Sequence, residues 1–117
     1  MAEQNCIFCQ VVAGEISADI VHRDERAVAF RDINPQAPVH LLVIPHEHME
    51  SLDEAAGRGD DETLGHLLRV ASRVAHQEGL SEKGYRTVIN TGAGAGQSVF
   101  HLHIHVIGGR PLHWPPG

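Results

Sequence analysis

The spacing of hydrophobic positions changes along the chain and predicts the order of its elements. In five segments, apolar residues alternate with polar ones or run together over short stretches, which is typical of strands. From residue 60 to 79 they recur every three or four positions, which predicts one face of a helix. Asp60 or Asp61 can cap its start and Gly79 can end it. The strands are predicted at 20–23, 27–31, 40–44, 85–90 and 100–107.

The remaining segments predict how these elements are connected. A short helix is expected over 6–13, ended by Gly14, and the first two strands form a hairpin. Two prolines mark 34–38 as a loop, and a glycine-rich loop over 91–98 joins the last two strands, which we expect to pair antiparallel. This order is α+β rather than alternating βαβ. No repeat or linker divides the 117 residues, so we expect one domain over 1–117.

Charge and composition narrow the classes of partner. Fifteen acidic and nine basic residues give a net charge of −6. This charge opposes binding to extended nucleic acid or to an anionic membrane. No apolar run approaches the roughly 20 residues that span a bilayer, and the start lacks the pattern of a signal peptide. We therefore expect a cytoplasmic protein without a membrane partner.

Ten histidines are many for this length, and three of them alternate with apolar residues near the end of the chain. In a strand, His101, His103 and His105 would share one face while Leu102 and Ile104 face the core. The first and third would then be about 13 Å apart, too far to share one tetrahedral zinc easily. A zinc hydrolase using one H-x-H pair, and an exposed strand without a site, are alternatives.

A neutral imidazole is a competent nucleophile at phosphorus near pH 7. A backbone carbonyl bonded to its other nitrogen would fix its orientation. Just before the histidines, Gly92, Gly94 and Gly96 would let the backbone approach a phosphate closely, with Gln97 and Ser98 as further donors. A glycine-rich hairpin loop alone is a weak signal, so its weight comes from lying next to the histidines.

The segment 97–106, with its pattern H-φ-H-φ-H in which φ is apolar, resembles the signature of the histidine triad superfamily. Segments 30–38, 40–45 and 108–117 are similar to its branch of histidine triad nucleotide-binding proteins. The resemblance implies a five-stranded antiparallel sheet with helices on one face. It also implies a homodimer in which two sheets join into ten strands, with isologous contacts.

The resemblance also implies roles for individual residues. His103 would be the nucleophile that takes up a nucleoside monophosphate as a covalent intermediate, which water then hydrolyses. His105 would bind phosphate, His40 would support the nucleophile, and Ser98 would act near the leaving amine. The implied substrate-binding residues are Phe8, Phe30 and Ile33 for the base, Asp32 for the ribose hydroxyls, Asn90, Gly96 and Gln97 for ribose or phosphate, and Trp114 near the partner's site.

Some members of the superfamily hold a structural zinc with a C-x-x-C pair, a histidine after the third strand and the first histidine of the triad. Cys6, Cys9, His48 and His101 match this set, with His46 as a rival to His48. Two buried thiols without metal and a redox C-x-x-C are the alternatives, and no thioredoxin-like pattern supports the latter. Bound zinc would make His101 structural, and catalysis itself should need no metal.

These expectations converge on a hydrolase of P–N bonds in purine nucleoside phosphoramidates. A nucleotide-binding or partner-binding regulatory module with incidental hydrolysis is the alternative from another class, because fold and site do not establish cellular purpose. Hydrolysis of dinucleoside polyphosphates is the nearest enzymatic alternative. The sequence leaves open the leaving amine and the choice between adenine and guanine.

Overall fold

In the part of the chain that the structure describes, five short strands form one antiparallel sheet, accompanied by three helices and a 3-10 turn. The computed structural model describes residue 3 and residues 5–117. In chain order the elements are α1 (Ile7–Ala13), β1 (Ile20–Arg23), β2 (Ala27–Arg31), β3 (Val39–Pro45), α2 (Leu52–Gly57), α3 (Asp61–Gln77), β4 (Tyr85–Val88), the 3-10 turn (Ala93–Ala95) and β5 (Ile104–Gly108). Within the described residues, no helix is long and apolar enough to cross a membrane.

The last strand lies inside the sheet and not at its edge. The strand order is β1-β2-β3-β5-β4, and every pairing is antiparallel. The expected pairing of β4 with β5 is confirmed, and β5 also pairs with β3, so that His105 lies opposite both Leu42 and Val88. A residue from the last segment is therefore set between two other strands.

Alternation along β3 and β5 directs one set of side chains towards α3. Leu41 and Val43 on β3, together with Ile104 and Val106 on β5, are buried in a cluster that includes the apolar face of α3. Alternate residues of a strand point to opposite faces, so Leu42 and the histidines 40 and 105 are left for the other face. One face of the sheet thus carries core residues that pack against α3, and the other face carries the two histidines.

The two helices after β3 lie on one face of the sheet, and the short α1 lies on the other. α2 and α3 belong to the cluster described above, as the expected arrangement of helices on one face requires. α1 instead packs on the opposite face, where Phe8 and Val11 contact Val28, Phe30 and Ile44. The opposite face is therefore partly covered by α1, which forms one wall of the site described below.

The long helix begins as predicted. The Asp60 carboxylate accepts a hydrogen bond from the backbone N–H of Thr63, which caps the first turn. The regular helix ends at Gln77, and Gly79 then takes a positive φ of 77° that reverses the chain. The second helix, α2, was not predicted, because its six residues are too few for a hydrophobic period to emerge.

The predicted strand over 100–107 is wrong at its start, since β5 begins only at Ile104. Upstream of this residue the backbone turns to the loop after β3: Leu102 donates its N–H to the carbonyl of Met49 at 2.7 Å. His101 and His103 are consequently buried and do not stand in an exposed row. β4 is also shorter than predicted and ends at Val88 instead of Asn90.

The turn between β1 and β2 is fastened to α3 through one carboxylate. Asp24 Oδ2 lies 2.7 Å from His22 Nε2 and 2.8 Å from His66 Nε2, while Oδ1 accepts from the backbone N–H groups of Arg26 and Ala27. Hydrogen bonds from the two histidines and the two backbone groups outweigh partial burial and hold the pKa of Asp24 below its ordinary value.

The Asp24 contacts predict a pH-dependent contribution to stability. D24N should lower the free energy of unfolding at pH 7 by about 1–3 kcal/mol, because an amide accepts these bonds more weakly than a carboxylate. The pKa of Asp24 is lower in the folded chain, so its contribution is present above the ordinary value of 3.8 and declines as the pH falls below it.

Urea unfolding of the wild type and D24N, from pH 7 down to below 3.8, measures the difference in their free energies of unfolding. Glu25, exposed on the same turn, gives the matched control E25Q, which should change stability by less than about 0.5 kcal/mol. Equal stability of D24N and wild type at pH 7 would contradict the assignment.

Candidate active site and metal centre

A cleft of about 440 Å³ lies between α1 and the histidine-bearing face of the sheet. Its walls combine apolar side chains from α1 and β2 with imidazoles from β3, β5 and the segment before β5. The structure brings together in this cleft eight of the residues predicted for substrate binding or catalysis: Phe8, Phe30, Asp32, Ile33, His40, Ser98, His103 and His105.

His103 presents one nitrogen as an electron-pair donor. Its Nδ1 lies 2.7 Å from the carbonyl oxygen of His101, which can only accept a hydrogen bond, so Nδ1 carries the proton. In the neutral ring Nε2 then holds the lone pair. The side chain is only 7% exposed, and the edge of the Phe8 ring packs against it at a centroid distance of 5.1 Å. This fixed orientation suits a nucleophile.

The neighbouring rings of His40 and His105 carry their protons on the other nitrogen, Nε2. The backbone N–H of Gln36 donates to His40 Nδ1 at 3.0 Å, so the neutral His40 ring carries its proton on Nε2. That Nε2 lies 2.9 Å from His105 Nδ1 and 3.4 Å from Asp32 Oδ2. His105 accepts at Nδ1 and therefore keeps its own proton on Nε2. This leaves His105 as a hydrogen-bond donor.

Burial keeps these rings neutral. It lowers the pKa of His103 and of His40, in both cases against an opposing effect of the Asp32 carboxylate. Burial, reinforced by the adjacent His103 and His40, lowers the pKa of His105 to about 4. Near pH 7 the cleft thus holds one uncharged acceptor nitrogen and one uncharged donor N–H side by side.

A second cluster lies on the other side of Phe8 and contains Cys6, Cys9, His48 and His101, whose ligand atoms are all within 4.8 Å of one another. His101 Nδ1 is 3.3 Å from Cys6 Sγ and 3.5 Å from Cys9 Sγ, and His48 Nδ1 is 3.4 Å from Cys9 Sγ. A tetrahedral zinc keeps sulfur and nitrogen ligands about 3.5 Å apart. The four residues therefore fit a structural zinc site of the Cys₂His₂ type.

The remaining ring nitrogens of this cluster support the same assignment. His101 Nε2 lies 2.9 Å from the carbonyl oxygen of Pro45, so Nε2 carries the proton and Nδ1 is free to bind a metal. Burial lowers the pKa of His101 to about 4, which keeps the ring neutral as a ligand must be. His48 Nε2 faces the carboxylate of Glu3 at 3.8 Å. His46, the rival, is outside the cluster.

One potential ligand atom each of Asp32, His40 and His105 also lies within 4.8 Å of the others. The hydrogen bonds of these residues, however, do not suit a metal site. A metal ligand needs a lone pair directed at the ion and usually donates its other ring N–H to an acceptor. In His40 the lone pair already accepts from Gln36, and Nε2 carries the proton. The group is therefore arranged as a hydrogen-bond relay.

Four predicted residues lie outside the cleft lining: Asn90, Gly96, Gln97 and Trp114. The buried Gln97 amide holds its own loop, because it accepts from the N–H of Gly92 and donates to the carbonyls of Glu50 and Val99. Trp114 is 82% exposed in the tail. Any role of these residues in binding stays a prediction.

Sequence reasoning missed Gln36, because its backbone N–H, and not its side chain, determines which nitrogen of His40 carries the proton. It also missed Ile16 and Ala18, which lie before β1 and line the apolar end of the cleft. Their loop has no hydrophobic period, so no signal in the sequence would have placed them there.

Comparison with known proteins agrees with this geometry. The family model of the HIT domain matches residues 13–112. The 14 kDa zinc-binding protein of Zea mays is 51% identical over 113 residues, which cover 95% of this chain and 87% of that protein. The chain belongs to the HIT domain family. A HIT family hydrolase from Legionella pneumophila superposes on this HIT domain with a TM-score of 0.93 at 49% identity, over 97% of this chain and all of the other.

A more distant solved structure has the same fold. The histidine triad nucleotide-binding protein of Candida albicans matches the HIT domain with a TM-score of 0.80 at 31% identity, over 87% of this chain and 73% of that one. The resemblance inferred from the histidine pattern is therefore confirmed at the level of the family and of the five-stranded fold.

The Cys₂His₂ cluster of this HIT domain predicts a stoichiometric metal. Metal analysis of the purified protein should find about one zinc per chain, and C9A should lose it. With free zinc a thousandfold above its Kd, the site stabilises the folded state by about 4 kcal/mol, which C9A should forfeit in thermal or urea unfolding.

H46Q is the matched control, since His46 is two residues from His48 and should not affect zinc content. The ligand set would be wrong if C9A retained zinc. It would also be wrong if H46Q lost zinc while H48Q retained it.

Proposed function

We propose that the protein is a hydrolase of purine nucleoside phosphoramidates that acts through a covalent nucleotidyl-histidine intermediate. The observation that carries the proposal is the orientation of His103, whose unprotonated Nε2 is available in the cleft because Nδ1 is bonded to the His101 carbonyl. The Legionella relative is named as a hydrolase and the Candida relative as a nucleotide-binding protein, which supports this class of substrate.

In the proposed reaction, His103 Nε2 attacks the α-phosphorus while the P–N bond breaks. The bonding electron pair goes to the amine nitrogen, which takes a proton that the Ser98 hydroxyl relays from solvent. The His103 ring becomes cationic, and its Nδ1–H strengthens the bond to the His101 carbonyl as charge develops. Water then attacks phosphorus while the P–Nε2 bond breaks and its electron pair returns to the neutral ring, and the proton that the water loses passes to solvent as the nucleoside monophosphate is released.

His105 supplies the matching donor. Its Nε2–H can bind a phosphate oxygen, and the chain of hydrogen bonds from Gln36 through His40 keeps it in the donating form. The Asp32 carboxylate beside His40 can accept hydrogen bonds from the ribose hydroxyls. These contacts would position the phosphorus for in-line attack, where orientation accounts for much of the rate.

The apolar end of the cleft suits a purine ring. Phe8 and Phe30 meet edge to face at a centroid distance of 5.6 Å and form its inner wall. Ile33 is 98% exposed at the same cleft, so it offers apolar area that a planar base would cover. Base recognition would thus rest mainly on apolar contact.

We further propose that two copies form a homodimer through β4 and α3. β4 is an edge strand that pairs only with β5 within the sheet, and an unpaired edge can extend a sheet. Leu68 is half exposed on α3 and would be covered by the second copy. Such a dimer would join the two sheets into ten strands and bring the tail with Trp114 near the partner's cleft.

Replacing the nucleophile tests the proposed reaction. H103A should lower kcat for hydrolysis of adenosine 5'-phosphoramidate at least about a thousandfold, because the acceptor nitrogens of His40 and His105, the other imidazoles among the described residues of the cleft, are occupied by hydrogen bonds. Nucleotide binding, measured by calorimetry with AMP, should persist. Rapid alkaline quenching of the wild type, which preserves the P–N bond of a modified histidine, should trap a nucleotidyl adduct on the peptide that contains His103.

H76N is the matched control, since His76 is an exposed histidine on α3, and its kcat should equal that of the wild type. Near-normal turnover by H103A would reject the mechanism. Tight AMP binding by a wild-type protein without turnover would instead favour a regulatory binding module.

A further inference from the structure

A second cavity, of about 390 Å³, adjoins the cleft. The two share Ile7, Ser98 and Val99 as lining residues. Ser98 is thus a lining residue of both spaces, and its hydroxyl is the group proposed to act on the departing amine. A group leaving the phosphorus on the side of Ser98 would therefore enter this second cavity.

The walls of this cavity combine apolar side chains and two carboxylates with Cys6 and His48 of the zinc cluster. Ile7 and Phe100 are each 48% exposed, and the carboxylates come from Glu3 and Glu50. Among the residues the structure describes, no lysine or arginine lines it. Glu3 faces His48 of the zinc cluster, which leaves Glu50 as the carboxylate free to meet a ligand.

Glu50 is held in place by its backbone. Its N–H donates to Glu54 Oε1 at 2.6 Å, and its carbonyl accepts from Gln97 Nε2 at 2.7 Å. The second bond ties Glu50 to the residue immediately before Ser98. The exposed Glu50 side chain therefore extends from a backbone that is fastened to the loop carrying Ser98.

Among the residues that the structure describes, Arg58 does not cancel the charge of Glu50. Arg58, which follows α2, is already paired with Glu47 and Glu54 at 2.6 and 2.8 Å. The thiolates of Cys6 and Cys9 would balance the two charges of a bound zinc ion. Neither Arg58 nor the zinc cluster would therefore neutralise the Glu50 carboxylate, which together with two apolar side chains complements an alkyl chain that ends in an ammonium group.

We propose that this cavity is a leaving-group subsite, formed by Ile7, Glu50, Ser98 and Phe100, that selects nucleoside phosphoramidates of diamines. The proposal rests on the proposed function and names its preferred leaving group. One nitrogen of the diamine is bonded to phosphorus and departs at Ser98. The alkyl chain packs on Ile7 and Phe100, and the second, cationic nitrogen lies near the Glu50 carboxylate.

Two probe substrates of equal length isolate the charge. One is the adenosine phosphoramidate of 1,4-diaminobutane and the other that of 1-aminopentane, which replaces the terminal ammonium by a methyl group. At low salt the wild type should show kcat/KM about fivefold higher for the diamine, the factor expected from one exposed ion pair. The preference should fall as salt is raised, because screening weakens such a pair.

E50Q should reduce this preference to about one. E82Q is the matched control, since Glu82 is exposed on the turn before β4 and lies outside both cavities, and it should retain the wild-type preference. The ratio of kcat/KM values is independent of how much of each variant is active, so partial misfolding does not affect the readout.

Equal kcat/KM for both probes in the wild type, or an unchanged preference in E50Q, would overturn the subsite. Unsubstituted adenosine phosphoramidate separates this outcome from failure of the proposed function. If adenosine phosphoramidate is hydrolysed but the diamine compound is not preferred, the subsite alone is rejected. If none of the three substrates is hydrolysed, the proposed hydrolase and the subsite are rejected together.

Discussion

His101 is fixed by three contacts that serve different parts of the molecule. Its Nε2–H donates to the Pro45 carbonyl, its Nδ1 faces the thiols of Cys6 and Cys9, and its own carbonyl accepts from His103. The first contact ties the segment before β5 to the end of β3. The other two make one residue the link between the metal cluster and the histidine that we propose as the nucleophile.

The zinc cluster also determines one wall of the cleft. Phe8 lies between the two cysteines in sequence and packs against the rings of Phe30, His101 and His103. α1 is only seven residues long, which is too short to be stable by itself, so its position depends on its contacts. Ligation of both cysteines would hold this helix, and with it Phe8, against the buried imidazoles.

Much of this arrangement could be predicted from the sequence, and the remainder has identifiable causes. The three-to-four-residue hydrophobic period predicted the position of α3. The alternation of apolar and polar residues placed the side chains of Ile104 and Val106 in the core, as observed. His101 and His103 were expected on an exposed strand face, because periodicity does not reveal that Leu102 bonds to the loop after β3. The bond from Gln36 to His40 was equally invisible, since any residue could supply that backbone N–H.

The proposed chemistry depends on the His101 carbonyl, which holds the proton of His103 on Nδ1 and leaves Nε2 unprotonated. Long-range ¹H–¹⁵N NMR spectra of protein labelled with ¹⁵N-histidine distinguish the two neutral forms of each ring, and the signals lost in H103Q identify those of His103. At neutral pH and without nucleotide, we predict the Nδ1–H form for His103. A proton on Nε2 would contradict the account, because the nitrogen assigned to attack phosphorus would then have no free electron pair.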